Sequence, residues 1–213
     1  LQKISAERIL GELKKTFSAP DLTPFCESGS QLIRGIFGCG ARDAYLSALG
    51  RSAPLWPVRL ALFALCADCG DREDLLRCLK PDGETLRDAA LLIRAAQQPP
   101  SLETQEDARV YLSLNGRGHT QMCALLFTAL TCVDGAYGTA ARQLETALSS
   151  AAPDGLRQLN ITGDDLLALG FNEGPETGEA LRSLLIEAAK NPEYNRKDLL
   201  ESLALELLKK GGD

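Results

Sequence analysis

The sequence predicts an all-α fold, an irregular multi-helix array of about a dozen short helices of the kind that dense caps and stops delimit. Three observations predict it. Ser, Thr, Asp or Pro recurs just ahead of runs with apolar residues at helical period, and Gly or Pro recurs just behind them. Leu and Ala dominate the apolar content, while the β-branched Val and Ile that favour strands are scarce. No segment alternates apolar and polar residues as a half-buried strand does, and no fixed-period repeat marks a solenoid.

The first element is Ser5–Phe17. It carries Ile9, Leu10, Leu13 and Phe17 on one stripe, with Ser5 as cap and Ile4 placed to staple onto Ile9. Thr23-Pro24 opens a short helix that Gly29 is expected to stop, and Gly35, Gly38 and Gly40 are expected to break the next segment. Pro57 starts a helix running to Ala67, closed by Gly70; Asp71–Leu79 and Asp82–Gln98 come next. Pro99-Pro100 is the clearest punctuation in the chain. Thr104 with Asp107 caps a helix expected to end at Asn115-Gly116, leaving Arg117-Gly118-His119 in a loop. Thr120–Val133 and Ala140–Ser150 are helical, and Pro153-Asp154-Gly155 is a turn.

The last third is the most densely marked. Ile161–Asn195 reads ITGDDLLALGFNEGPETGEALRSLLIEAAKNPEYN. Thr162 and Asp165 have the spacing of a reciprocal capping box, with Asp in the place of the usual Glu. Gly170 follows the last apolar residue of that helix, where a left-handed stop is wanted. Gly174-Pro175 restarts the chain as a second helix, because proline's missing N–H is harmless at a first helical position. Adjacent Asp164 and Asp165 point about 100 degrees apart on a helix, so they compensate the helix dipole rather than converge on one ion. Free N–H groups at the Gly174-Pro175 start could hold an anion, but Glu173, Glu176 and Glu179 oppose it, which favours tight helix–helix packing. Asn195 is read as the cap of the final helix, which runs to about Lys210.

Charge and composition narrow the function. At 213 residues the chain can bury one core or two closely packed helical subdomains. No run of about 18 apolar residues occurs, so no transmembrane helix is expected. No secretory leader pattern opens the sequence. The net charge of −6 has the wrong sign for a simple nucleic-acid binder, yet Gln31–Ala67 holds Arg34, Arg42, Arg51 and Arg59 against the single acid Asp43. Lys14 and Lys15 form a second basic cluster. Such groups either neutralise phosphates or are ordinary solvated helix residues. The seven cysteines are odd in number and irregular in spacing, which fits reduced thiols in a cytoplasm. Cys66 and Cys69 form a lone CxxC, read as small core residues on one helix face rather than a zinc site. The single histidine, His119, excludes a multi-histidine metal site and nominates no nucleophile pair, so no metal ligand or catalytic residue is expected.

Both ends carry a pattern that resembles a known family, the bacterial tRNA nucleotidyltransferases of the CCA-adding and poly(A)-polymerase-like type. The opening LQKISAERILGEL is similar to that family's neck helix at Ile4, Ser5, Glu7, Arg8, Ile9, Glu12 and Leu13. The C-terminal segment is similar at Gly163, Asp165, Leu166, Gly170, Gly174, Pro175, Gly178 and Asn195. The resemblance covers about a quarter of the chain sharply and the middle only as leucine-rich helix, a weighting that rests on two motifs in the right order. It implies a neck remnant over 1–35, an RNA-binding-like helical body over 36–100 and a helical tail over 101–213. It further implies a cytoplasmic protein that binds the acceptor arm and elbow of tRNA through the backbone, with no membrane partner. The candidate contacts are Arg8, Lys14, Lys15, Arg34, Arg42, Arg51, Arg59, Arg117 and Arg182. In that family the catalytic head precedes the neck, with a Gly-Ser phosphate-binding turn and two metal-binding aspartates. The expectation is therefore a portion without its head, inactive alone and with no cofactor of its own, from an enzyme that uses Mg²⁺ with CTP and ATP. A free-standing helical RNA- or protein-interaction module is the alternative.

Overall fold

The computed structural model describes residues 4–210, and side chains as far as Lys209. The described residues form eleven α-helices and two short 3₁₀ turns, with no strand beyond one isolated bridge between Ala41 and Ala67. The all-α expectation holds. The helices are α1 (Ala6–Thr16), α2 (Thr23–Phe37), α3 (Asp43–Arg51), α4 (Trp56–Cys66), α5 (Arg72–Cys78), α6 (Gly83–Gln97), α7 (Gln105–Leu130), α8 (Ala136–Leu148), α9 (Gly163–Ala168), α10 (Pro175–Lys190) and α11 (Lys197–Lys210). Contacts divide them into two compact units. One holds the described residues to Ser101 together with Met122–Arg142; the other holds Leu102–Gln121 and the described residues from Gln143 onward.

In the first unit α4 is the centre. Every residue from Val58 to Cys66 is buried, and α3, α5 and α6 pack around it. A helix apolar on all sides has no solvent face to offer and must be surrounded. Phe63 of α4 meets Phe17, Phe25 and Phe37 with ring centroids 5.6, 6.2 and 5.5 Å away, in edge or tilted arrangements that aromatic rings prefer. Local chemistry sets the other starts. Ser5 Oγ accepts from the Arg8 N–H, and Asp71 and Asp82 cap α5 and α6. Asp21 accepts from the Thr23 N–H at 2.8 Å, which holds its carboxyl below the usual range.

Several expected breaks are not breaks. Gly29 lies buried in the middle of α2 rather than stopping it. A Cβ there would come 2.8 Å from Leu46 Cδ2, so the glycine serves the close approach of α3. Gly35 is also helical, and α2 stops at Gly38, whose φ of 74° places it in the left-handed region. In the second half, Gly116 has φ 79° and ψ 160°, yet helix resumes at once on its far side. His119 is therefore helical and half-buried, not in a loop, and its Nε2 lies 3.0 Å from the Tyr111 hydroxyl.

The cysteine reading is corrected in part. Cys66 is buried at the end of α4 as expected, but Cys69 lies beyond the helix and forms a disulfide with Cys39, the two Cα atoms 6.0 Å apart. Cys26, Cys66, Cys78, Cys123 and Cys132 are thiols outside that bond.

The largest fully buried side chain is Arg59. Its sequence neighbours are apolar, yet its guanidinium donates to the carbonyls of Phe17 (2.7 Å), Ala19, Pro20 (3.5 Å) and Ser52 (2.7 Å), and to Ser52 Oγ at 3.2 Å. These acceptors all carry only partial charge. Burial pulls its pKa below the ordinary arginine value. Arg59→Met keeps the stem but leaves several buried carbonyls without a donor, each with a desolvation penalty. We expect a loss of about 2–4 kcal/mol, read from urea unfolding midpoints, with Arg59→Lys recovering part of it. Unchanged midpoints would show that water replaces the guanidinium without penalty.

Candidate nucleic-acid interface

The nine basic residues singled out from sequence fall into different settings. On α1, Arg8, Lys14 and Lys15 are exposed. Arg8 lies at the rim of a groove of about 460 Å³ floored by Ile9, Leu13, Phe25, Leu32 and Ile36. Lys14 Nζ stands 5.9 Å from the centroid of the Trp56 ring, and Lys15 pairs with Glu12 at 2.9 Å. Arg34 and Arg51 are exposed in the last turns of α2 and α3, where a cation also complements the helix dipole. Arg42 is half-buried: its guanidinium stacks 3.9 Å from the Tyr45 ring centroid and donates to the Leu65 carbonyl.

Arg59 is the clear correction. Its burial leaves no surface for a phosphate to reach, and its donors are occupied by backbone carbonyls. Its place inside a greasy run was a cue in the sequence that it serves the core. Of the basic residues between Gln31 and Ala67, Arg34 and Arg51 are the exposed ones.

In the second unit Arg182 is exposed on α10. Arg117 is tied down: Nε meets Asp154 at 2.9 Å and Nη1 donates to the Leu148 carbonyl at 2.8 Å, closing the end of α8. Arg109, which sequence reading did not single out, does the same for α10, donating to the Ala189 and Lys190 carbonyls at 2.9 and 2.6 Å. It lies far in sequence from the helix end it caps, so no local signal marks it.

The two sequence motifs are structural in their local geometry. At the N-terminal one, Ile4 is exposed, Ser5 caps α1, and Glu7 pairs with Lys80 at 3.0 Å. Its own backbone N–H and then Lys80 hold the Glu7 carboxyl low. In the C-terminal motif Thr162 and Asp165 form the full capping box at the start of α9, where Gly163 is the first helical residue. The far end is a Schellman turn: Gly170 has φ 107°, its N–H donates to Leu167 O, and the Phe171 N–H donates to Leu166 O, each at 3.1 Å. Leu166 and Phe171 then meet in a core with Ile161, Leu184 and Leu200.

Gly174 (φ 110°) and Pro175 start α10 as expected, with the Glu176 carboxylate turned back onto the Asn172 N–H at 3.0 Å. Tight packing at these glycines is not what the structure shows: nothing lies within 4 Å of a Cβ built at Gly174 or at exposed Gly178. Asn195 is not the cap of α11, which begins at Lys197; it closes the 3₁₀ turn Pro192–Tyr194, its N–H donating to Pro192 O. It clamps the extended approach to the motif, with Oδ1 accepting from Asn160 N and Nδ2 donating to Gln158 O, both at 2.8 Å. This cross-link spans some 35 residues of sequence and left no local signal.

With that geometry in view, the fold is of the all-α type found in CCA-adding enzymes. The chain is similar in structure to the CCA-adding enzyme of Bacillus stearothermophilus, seen in a crystal structure of its complex with CTP. The TM-score is 0.67, with 19% sequence identity, over 98% of this chain and 54% of that one. The chain thus spans about half the length of that enzyme. No family model and no curated protein matches the sequence.

Asp165 responds to pH in a way that can be checked. One carboxylate oxygen accepts from Lys197 Nζ at 2.6 Å, the other from the Thr162 hydroxyl and N–H at 2.7 and 2.8 Å. Lys197 first, then Thr162, hold its pKa down at about 2 against an ordinary 3.8. A carboxylate depressed on folding stabilises above its unfolded pKa and loses that contribution as pH falls through its folded value. Asp165→Asn should therefore be less stable than the natural protein at pH 7, with the gap closing between about pH 4 and pH 2. Denaturant midpoints across that window check it; a gap constant with pH would assign the effect to packing.

Proposed function

We propose that this chain is the tRNA-holding helical portion of a CCA-adding type of tRNA nucleotidyltransferase. The observation that carries the reading is fold similarity over nearly the whole chain to an enzyme of that activity, joined to sequence motifs at both ends. Recognition would be of shape and backbone, as for structured RNA generally, with the acceptor arm and elbow as the parts held. Exposed Arg8, Lys14, Arg34 and Arg51 in the first unit, and Arg182 in the second, supply the charge. Arg42 and Arg117 are poorer donors because each is already tethered. Nucleotide addition belongs to a catalytic head that supplies two carboxylates for Mg²⁺ and receives CTP and ATP. The cytoplasm, where tRNA is finished, is the matching compartment.

The decisive measurement is tRNA binding by this chain across a salt series. Each phosphate contact releases counterions, so affinity should fall steeply from low to physiological salt. Arg34→Glu with Arg51→Glu should weaken tRNA and unstructured RNA alike, since contacts to backbone carry no sequence information. Binding absent at low salt, or indifferent to that pair, would favour a free-standing protein-interaction module instead. Incubated with tRNA lacking its 3′ end, labelled CTP and ATP, and Mg²⁺, the chain alone should extend nothing. Labelled product would overturn the assignment of the chemistry to a separate head.

A further inference from the structure

Between α2 and α3 the chain lies alongside the segment just beyond α4. The Arg42 N–H donates to Cys66 O at 2.8 Å, the Asp68 N–H donates to Gly40 O at 3.1 Å, and Ala41 sits opposite Ala67 in an antiparallel bridge. This clasp around a single bridge sets the register. Asp68 falls opposite Gly40, and one step further out Cys39 falls opposite Cys69. The Sγ atoms of the two cysteines and a carboxylate oxygen of Asp68 all lie within 4.8 Å of one another. Among the described residues this is where three such donors converge. Gly40 is part of the arrangement, because a Cβ there would overlap the Asp68 carboxylate, coming 3.0 Å from its Cγ.

The donor set has a chemical preference. Two sulfurs and one carboxylate select a thiophilic divalent ion over Mg²⁺ or Ca²⁺, which want oxygen. Around a tetrahedral Zn²⁺ with bonds of about 2.3 Å, two sulfurs stand about 3.8 Å apart. Cysteines 6.0 Å apart at Cα on a fixed backbone reach that spacing by side-chain rotation. Two thiolates and a carboxylate around a dication leave one surplus negative charge. Arg72 and Arg42 are placed to balance it. Arg72 donates to the Cys69 and Gly70 carbonyls, and both guanidiniums keep a buried Nε without a hydrogen-bond partner.

We propose that the clasp is a redox-gated metal site: with the Cys39–Cys69 bond reduced, Cys39, Cys69 and Asp68 bind one zinc-type divalent cation, leaving a fourth position for water. Two equivalents of a small thiol supply the two electrons and two protons of the reduction and depart as their own disulfide. The cation then displaces both protons as the thiolates form; exchange with a small-molecule disulfide, which takes up the two electrons and two protons and leaves as two thiols, re-forms the Cys39–Cys69 bond and expels the cation. The site is independent of the tRNA reading, and its test does not use RNA.

The test uses the full chain, reduced with a small thiol, desalted without oxygen and titrated with Co²⁺, whose thiolate charge-transfer absorption reports sulfur ligation. One Co²⁺ per chain is expected, displaced by Zn²⁺. Cys39→Ser and Cys69→Ser should each abolish the absorption, and the oxidised chain should show none. Asp68→Asn should weaken binding at least tenfold, as loss of a metal partner does. Circular dichroism checks that each variant stays folded; a variant that does not is replaced by alkylation of the same cysteine in the natural protein. No absorption in the reduced chain, or absorption that survives in both serine variants, overturns the site. Unchanged affinity in Asp68→Asn overturns the three-donor assignment.

Discussion

Arg59 carries an unusual burden for a residue on a central helix. A guanidinium taken wholly out of water is destabilising unless its donors are met, and here they are met by neutral oxygens: carbonyls at the end of α1, in the turn to α2, and at the end of α3. Those carbonyls are the ones that helix ends and tight turns leave without intrahelical partners. One side chain thus resolves two problems at once. It satisfies the backbone where three helices meet, and it fixes where α1 enters the unit relative to α4. Phe17, the residue that α1 sends into the aromatic cluster, has its own carbonyl held by Arg59. The exposed basic heads of α1 inherit their position from that buried joint.

How much of this is legible in the sequence depends on the range of the interaction. Ser5, the Thr162–Asp165 box, the Gly170 stop and the Pro175 restart are settled within a few residues, and each can be read directly from the sequence. Gly29 looks like the same kind of signal but answers to Leu46, seventeen positions away, so a stop is expected where a close approach occurs. Asn195, Arg109 and the Cys39–Cys69 pair act across long stretches and have no local signature. Arg59 is misassigned when charge is counted without burial. A cation in the midst of Val58–Ala67 could reach solvent only if α4 had a solvent face, and it has none.

Fold and interface therefore stand on different physical footings. The helical array is over-determined, since composition, caps and the fold of the CCA-adding enzyme all agree. The proposed interface rests on surface cations whose local roles, dipole compensation and helix capping, would exist in any helical protein. Burial removes one candidate and tethering weakens two more. Arg8, Arg34, Arg51 and Arg182 keep their heads in solvent, and that is the property a phosphate contact needs.

Gly178 raises a matter of frustration. A glycine inside an exposed helical turn gives up about 1 kcal/mol relative to alanine through backbone entropy. A neighbour that could not otherwise come so close usually offsets that loss. Here no neighbour comes: the space a methyl group would take is open, and the bare backbone of the first turn of α10 faces outward beside Gly174. The fold thus holds a small, smooth patch that its own packing does not call for. By helix propensity alone an alanine would suit that position at least as well, so Gly178→Ala should leave the packing of α10 as it is.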